Sequence, residues 1–171
     1  PINEVLAAGL LMHSGWQGQC DFLDPMCGSG TIPVEAAMIA ARIPANCNRV
    51  AFAFQQWDNY DVDLFETVFD AQMNKVVNPG FKIMGFDKAP SAIEKARQNI
   101  KNARLDDFIS LQQEDFFKAP KPTSGKLHLL FNPPYGERLN AEAALYQQIG
   151  DTLKNQYPDT DAWLISSNPE A

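Results

Sequence analysis

The order of the apolar segments constrains this chain most. Asp21-Phe22-Leu23-Asp24 reads as a short buried strand that runs straight into a glycine turn, and from Thr31 the positions Val34, Ala37, Met38 and Ala41 fall on one helical face. Pro33 sits in the first turn of that helix, where its missing N–H costs little, and the helix stops before Pro44. The unit then recurs. Residues 82–87 predict a second strand, and Pro90 with Ser91 and Glu94 opens a helix whose apolar face is Ile93, Ala96, Ile100 and Ala103. Residues 109–113, 126–131 and 162–166 predict three more strands, with a helix over 141–155 that aligns Leu145, Ile149 and Leu153. Ahead of them all, Leu6, Leu10 and His13, with Ile2 before them, suggest an amphipathic helix ending near Gly15. Strand and helix alternating in this way imply an α/β, doubly wound, mostly parallel sheet with helices on both faces.

One domain fits the size: 171 residues with 45% apolar content supply a single buried core. No run approaches the roughly 18–20 apolar residues that span a bilayer, and the start lacks the layout of a secretion signal, so no membrane role and a cytoplasmic location are expected. Cys20, Cys27 and Cys47 are odd in number and never spaced as C-x-x-C, which indicates free thiols rather than a disulfide framework or a zinc knuckle. Both ends look cut, so further strands past Ala171 and a separate domain before Pro1 are expected.

Residues 44–80 interrupt the alternation. An aromatic stretch, Phe52, Phe54 and Trp57, precedes a predicted helix carrying Phe65, Phe69, Met73 and Val76. We expect an insertion packed against the core, its aromatic side chains buried or shaping the substrate side.

In open parallel sheets ligands bind beyond the carboxyl ends of the strands, so the residues ending each strand carry the functional reading. After the first strand comes Asp24-Pro25-Met26-Cys27-Gly28-Ser29-Gly30-Thr31, where two glycines let backbone approach a ligand and the next helix offers unpaired N–H groups. A dinucleotide fingerprint would need glycine where Pro33 stands, which disfavours a pyrophosphate site; a plain tight turn is the bland account. Asp87 ends the second strand and could accept both hydroxyls of a ribose, or simply cap a helix. Glu114-Asp115-Phe116-Phe117 puts an acid and an aromatic after the third strand, as an adenine would require, although Phe116 could equally be tucked into the core.

The fourth strand ends on Asn132-Pro133-Pro134-Tyr135. The lone pair of an exocyclic amino group is delocalised into its ring, so the nitrogen must move toward tetrahedral geometry before attacking a methyl carbon. Acceptors at its two protons favour that change. The Asn132 side-chain oxygen and the Pro133 carbonyl would be such acceptors, stiffened by successive prolines, and Tyr135 offers a face on which a planar base could stack.

With these motifs the chain resembles class I S-adenosylmethionine-dependent methyltransferases that carry an Asn-Pro-Pro-Tyr motif. Within them it is similar to the THUMP-domain-containing guanine-N2 methyltransferases of large-subunit ribosomal RNA. The resemblance runs from Pro1-Ile2-Asn3-Glu4 and Ser14-Gly15-Trp16 through the glycine turn to Gly136-Glu137-Arg138. It implies the Rossmann-like class I fold, and S-adenosylmethionine as cofactor without a metal. Asp24, Pro25, Met26, Cys27, Gly28, Gly30 and Thr31 would hold the amino-acid end of the cofactor. Asp87, with Lys88 beside it, would hold the ribose, and Asp115 with Phe116 the adenine. Asn132, Pro133, Pro134 and Tyr135 would bind the target amino group, with Asn132 also at the cofactor.

The implied reaction is methyl transfer to guanine N2 of RNA, with DNA adenine N6 or protein glutamine as alternative targets and an inactive cofactor-binding scaffold as an alternative of another class. The net charge of −7 means that this part alone should bind RNA poorly, and RNA is expected to be held chiefly by a domain outside the chain. The cluster Lys118, Lys121 and Lys126 reads as a solvated loop, and His13 and His128 as packing or surface residues.

Overall fold

The computed structural model describes residues 2–134 and 139–166, the latter with side chains from 143 onward. Five parallel strands form one sheet in the order β3-β2-β1-β4-β5: β1 Asp21–Asp24, β2 Ile83–Asp87, β3 Ile109–Gln113, β4 Leu127–Phe131 and β5 Thr160–Leu164. The helices are α1 Glu4–His13, α2 Thr31–Ala41, α3 Val62–Met73, α4 Pro90–Asn102 and α5 Leu139–Gln156. The chain steps outward from β1 through β2 to β3, then crosses back to lay β4 on the other side of β1. The strand order therefore reverses between β1 and β4, where neighbouring crossovers leave on opposite faces and open a crevice.

Burial on both faces explains the continuous apolar runs. Phe22, Ile83, Ile109 and Leu130 pack with Ala7 and Leu11 of α1, Ile32, Ala36 and Ala37 of α2, and Ile100 of α4. Leu23, Met84, Phe86, Leu129 and Phe131 face the other way, toward Ile149 of α5 and the turn around Phe116. Polar core groups are paired: the Trp16 indole N–H donates to the Ala36 carbonyl at 3.1 Å, and His128 Nε2 lies 2.9 Å from Ser14 Oγ.

Several expectations need correction. α1 buries Ala7 and Leu11 while Leu6 is 52% exposed, so its inward face is turned by about one residue from the predicted one. The helix is apolar around most of its circumference, and Ala7 is fully buried in the core it shares with Ala36 and Ala37 of α2. In α2, Ile32, Pro33 and Ala36 are buried, and Val34 and Met38 are only partly so. β5 lies two residues earlier than predicted.

The largest departure concerns 44–80: no residue of α3 is buried, and the segment joins neither core face. Its aromatic side chains pack on one another, with Phe54 5.8 Å from Phe65 and 5.2 Å from Phe52, and Trp57 is 65% exposed. The sheet faces it would have covered already carry the other helices.

Candidate active site

The site forms where the ends of β1, β2 and β4 meet. Asp24 ends β1 almost wholly buried, its Oδ1 accepting the Met26 N–H at 3.1 Å. Burial, reinforced by the charge of Asp87, pushes its carboxyl up to about 8. No cation among the described residues pairs with it, so a positively charged group arriving beside Asp24 would relieve a strongly disfavoured carboxylate.

The turn that follows is tied to β2. The Cys27 N–H donates to the Phe86 carbonyl at 2.8 Å, and the Gly28 N–H donates to Asp87 Oδ2 at 3.0 Å. Gly28 and Gly30 hold left-handed conformations, φ 53° and 82°. At Gly30 a Cβ would lie 3.1 Å from that of Ala96, so this glycine serves the approach of α4 and stays off the cavity wall. Burial and the two nearby carboxylates push the Cys27 thiol far up, which keeps it protonated and unreactive.

Asp87 makes a second bond, its Oδ1 accepting the Ala89 N–H at 2.9 Å at the start of α4. That bond fixes the turn ahead of α4 and does not cap the helix, whose N-cap Ala89 has no side-chain cap bond; two of the carboxylate's roughly four acceptor positions are used, which leaves room for ribose hydroxyls. Beyond β3, Asp115 Oδ1 accepts the Phe117 N–H at 3.1 Å. Phe116 is 2% exposed, packed on Phe131 and Tyr157. The aromatic side chain on the cavity wall is Phe117.

Two adjoining cavities share Met26, Gly28 and Asn132. The smaller, about 120 Å³, reaches Asp24, Cys27 and Thr31. The larger, about 320 Å³, is bounded by Pro25, Asp87, Lys88, Asp115 and Phe117, and by Pro134 at its rim. Its size falls within the roughly 300–1,000 Å³ of small-molecule sites. Asn132 thus faces the same space as the glycine turn, while Pro133 beneath it is buried. Tyr135 lies outside the described residues, as do Gly136, Glu137 and Arg138.

Ser29 of the glycine turn lines the smaller cavity; Ile2 and Ile32 there, and Phe117 and Leu145 at the larger, are not among the expected site residues. A second aromatic next to Phe116 was visible, but which of the two faces the cavity depends on the turn. Leu145 was read only as core, and no local signal marks it. The residues present suit a ligand with a cationic end, a ribose and a flat apolar ring: an uncompensated buried carboxylate, a carboxylate at a strand tip, and an aromatic wall beside Asp115. No group of His, Cys, Asp or Glu among the described residues is arranged to hold a metal.

Outside the site, each lysine of the 118–126 cluster is engaged. Lys118 lies 3.7 Å from Asp115, Lys121 donates to the Pro158 and Asp159 carbonyls, and Lys126 pairs with Asp161 at 2.9 Å. His128 is core, and burial lowers its affinity for a proton.

Strand order, the glycine turn and the crevice at the switch point define the Rossmann-like class I methyltransferase fold. Over residues 1–170 the chain matches the family described as UPF0020: RMKL-like, methyltransferase domain, and it belongs to that family. It is 37% identical over 188 residues to the "Ribosomal RNA large subunit methyltransferase K/L" of Cellvibrio japonicus (strain Ueda107), covering 99% of this chain and 25% of that protein. It spans about a quarter of the length of the curated relatives it matches. Among solved structures it is similar to SMU.472 complexed with SAH, with a TM-score of 0.90, 32% identity, and coverage of 99% of this chain and 45% of the other. It is also similar to a protein from Listeria monocytogenes str. 4b F2365 described as a predicted N6-adenine-specific DNA methylase, with a TM-score of 0.85, 31% identity and the same coverages. No helix among the described residues is long and apolar enough to cross a membrane.

Proposed function

We propose that this chain is the catalytic part of an enzyme that transfers a methyl group from S-adenosylmethionine to the exocyclic N2 of a guanine in large-subunit ribosomal RNA. The observation that carries the reading is that Asn132, the first residue of the Asn-Pro-Pro-Tyr turn, lines the same two cavities as the glycine turn. The names of the full-length relatives favour ribosomal RNA, and SAH in the similar SMU.472 structure favours the cofactor.

When bound, S-adenosylmethionine supplies a methyl carbon already activated by a positive sulfur. Asp24 would meet its cationic end with a buried negative charge, Asp87 would accept from the ribose hydroxyls, and Asp115 with Phe117 would border the adenine. The Asn132 side-chain oxygen and the Pro133 carbonyl would accept hydrogen bonds from the two amino N–H groups of the target, which favours a tetrahedral nitrogen with its lone pair out of the ring. By the resemblance, Tyr135 would offer the flipped base a face on which to stack. The proton leaves the product nitrogen to solvent after transfer, so positioning supplies much of the rate and no strong base is required.

RNA is held chiefly outside this chain, whose net charge is −7 and whose lysine cluster is engaged internally. A cytoplasmic location follows from that substrate.

The test uses the intact protein and tritiated methyl. Label entering ribosomal RNA at guanine N2 in competition with DNA and protein is the expected result. Asn132→Ala should keep cofactor affinity within about threefold and lower turnover by roughly a hundredfold or more. A fully active variant overturns the role of Asn132. The Listeria neighbour's description favours adenine N6 of DNA as a second reading, and label appearing preferentially in DNA would establish it.

A further inference from the structure

The outer face of α1 carries a second apolar stripe, exposed at Val5 and Met12 among the described residues. Val5, Ala8, Gly9 and Met12 stand at the i, i+3, i+4, i+7 spacing of a helix-docking face, turned away from the buried Ala7 and Leu11. Val5 is 83% exposed and Met12 71%. The stripe forms one wall of a groove of about 830 Å³, closed on the other side by Met38 of α2 and by the backbone turn over residues 45–49. Ala8 and Gly9 make its floor low, and at Gly9 a Cβ would find no atom within 4 Å.

The charge of the groove selects its occupant. Glu4 of α1 and Glu35 of α2 both line it, and neither has an ion-pair partner among the described residues. Burial, with the charge of Glu4, holds the Glu35 carboxyl above the usual range. Arg49 also lines the groove, its Nε donating to the Ala51 carbonyl and its guanidinium 5.3 Å from the centre of the Phe52 ring, so two acids stand against one engaged cation on the wall. A polyanion is repelled by such a groove. A second copy of this chain fits poorly too, because its cationic helix α4, with Lys95, Arg97 and Lys101, already buries its apolar face of Ile93, Ala96 and Ile100.

We propose that the α1–α2 groove is a docking site for a cationic amphipathic helix of a protein partner, its apolar side chains seated on Val5, Ala8, Gly9 and Met12 and a Lys or Arg placed between Glu4 and Glu35. The site is separate from the cofactor cavities and does not depend on which group is methylated.

The test is fluorescence anisotropy of the intact protein with a labelled helical peptide of about 18 residues, Leu on one face and Lys on the other. Controls are the same peptide with Glu for Lys, and a single-stranded RNA of similar length. The Lys peptide should bind at least about tenfold more tightly than either. Gly9→Leu fills the groove and is favoured by helix propensity, so the variant should fold; it should weaken the peptide by about tenfold while cofactor affinity, read by calorimetry, stays unchanged. The double variant Glu4→Gln, Glu35→Gln should bind weakly and lose the salt dependence. Leu64→Gln on α3 should leave peptide binding intact. Equal binding of the Glu peptide, RNA displacing the Lys peptide, no effect of Gly9→Leu, or self-association in sedimentation that Gly9→Leu abolishes would each overturn the proposal.

Discussion

The Gly28 N–H donates to Asp87 Oδ2 at 3.0 Å, joining the glycine turn after β1 to the tip of β2. The carboxylate proposed for the ribose therefore also fixes the loop proposed for the amino-acid end, so both halves of the proposed cofactor site would depend on one side chain.

Asp87→Ala removes charge-assisted hydrogen bonds worth about 1.5–3 kcal/mol each, and S-adenosylmethionine affinity should fall by roughly ten- to hundredfold. Methylthioadenosine, which has the ribose but no amino-acid end, should lose less, because only the full cofactor also depends on the turn. Calorimetry with both ligands checks this; equal affinity for wild type and variant would remove Asp87 from the site.

Asp24 gives a pH signature. Its carboxyl stands near 8 in the fold against 3.8 as the ordinary value, so the folded form holds the extra proton and its contribution to stability is full below about 3.8 and lost as pH rises through about 8. Asp24→Asn keeps an acceptor for the Met26 N–H and should flatten that decline between about pH 4 and 8, melting higher than wild type at the alkaline end. It should also weaken the cofactor. Binding of a cation to wild type near neutral pH should release a proton, visible as a dependence of the calorimetric enthalpy on the buffer; no release would mean that the cation does not approach Asp24.

The adjacent phenylalanines should separate cleanly. Phe116→Ala empties a core site and should cost about 3–5 kcal/mol of stability, measured by denaturant unfolding. Phe117→Ala should leave the fold nearly intact and lower affinity for adenine-bearing ligands by about tenfold. The reverse pattern would return the adenine to Phe116.

Gly30→Ala places a Cβ at φ 82° and 3.1 Å from Ala96, so left-handed strain of about 1–2 kcal/mol adds to displacement of α4. The melting temperature should fall by roughly 2–4 °C per kcal/mol. Gly15→Ala shares the left-handed strain but meets no atom within 4 Å, and should cost less.

The sequence alone determined the alternation of strands and helices, the bounds of β1 and β3, and the four strand-end motifs, because each is written in neighbouring residues: an apolar run, a pair of glycines, two successive prolines. Tertiary structure decided what depends on distant segments meeting. It turned α1 by about one residue, because a helix apolar on most sides takes its orientation from whichever face its neighbour fits most closely. It left α3 outside the core, because the sheet faces were already covered. It put Phe117 rather than Phe116 on the cavity, and it raised Asp24 by enclosing it beside Asp87, sixty-three positions along the chain. Local propensity reads along the backbone, whereas burial and charge act across space, and only the fold supplies those distances.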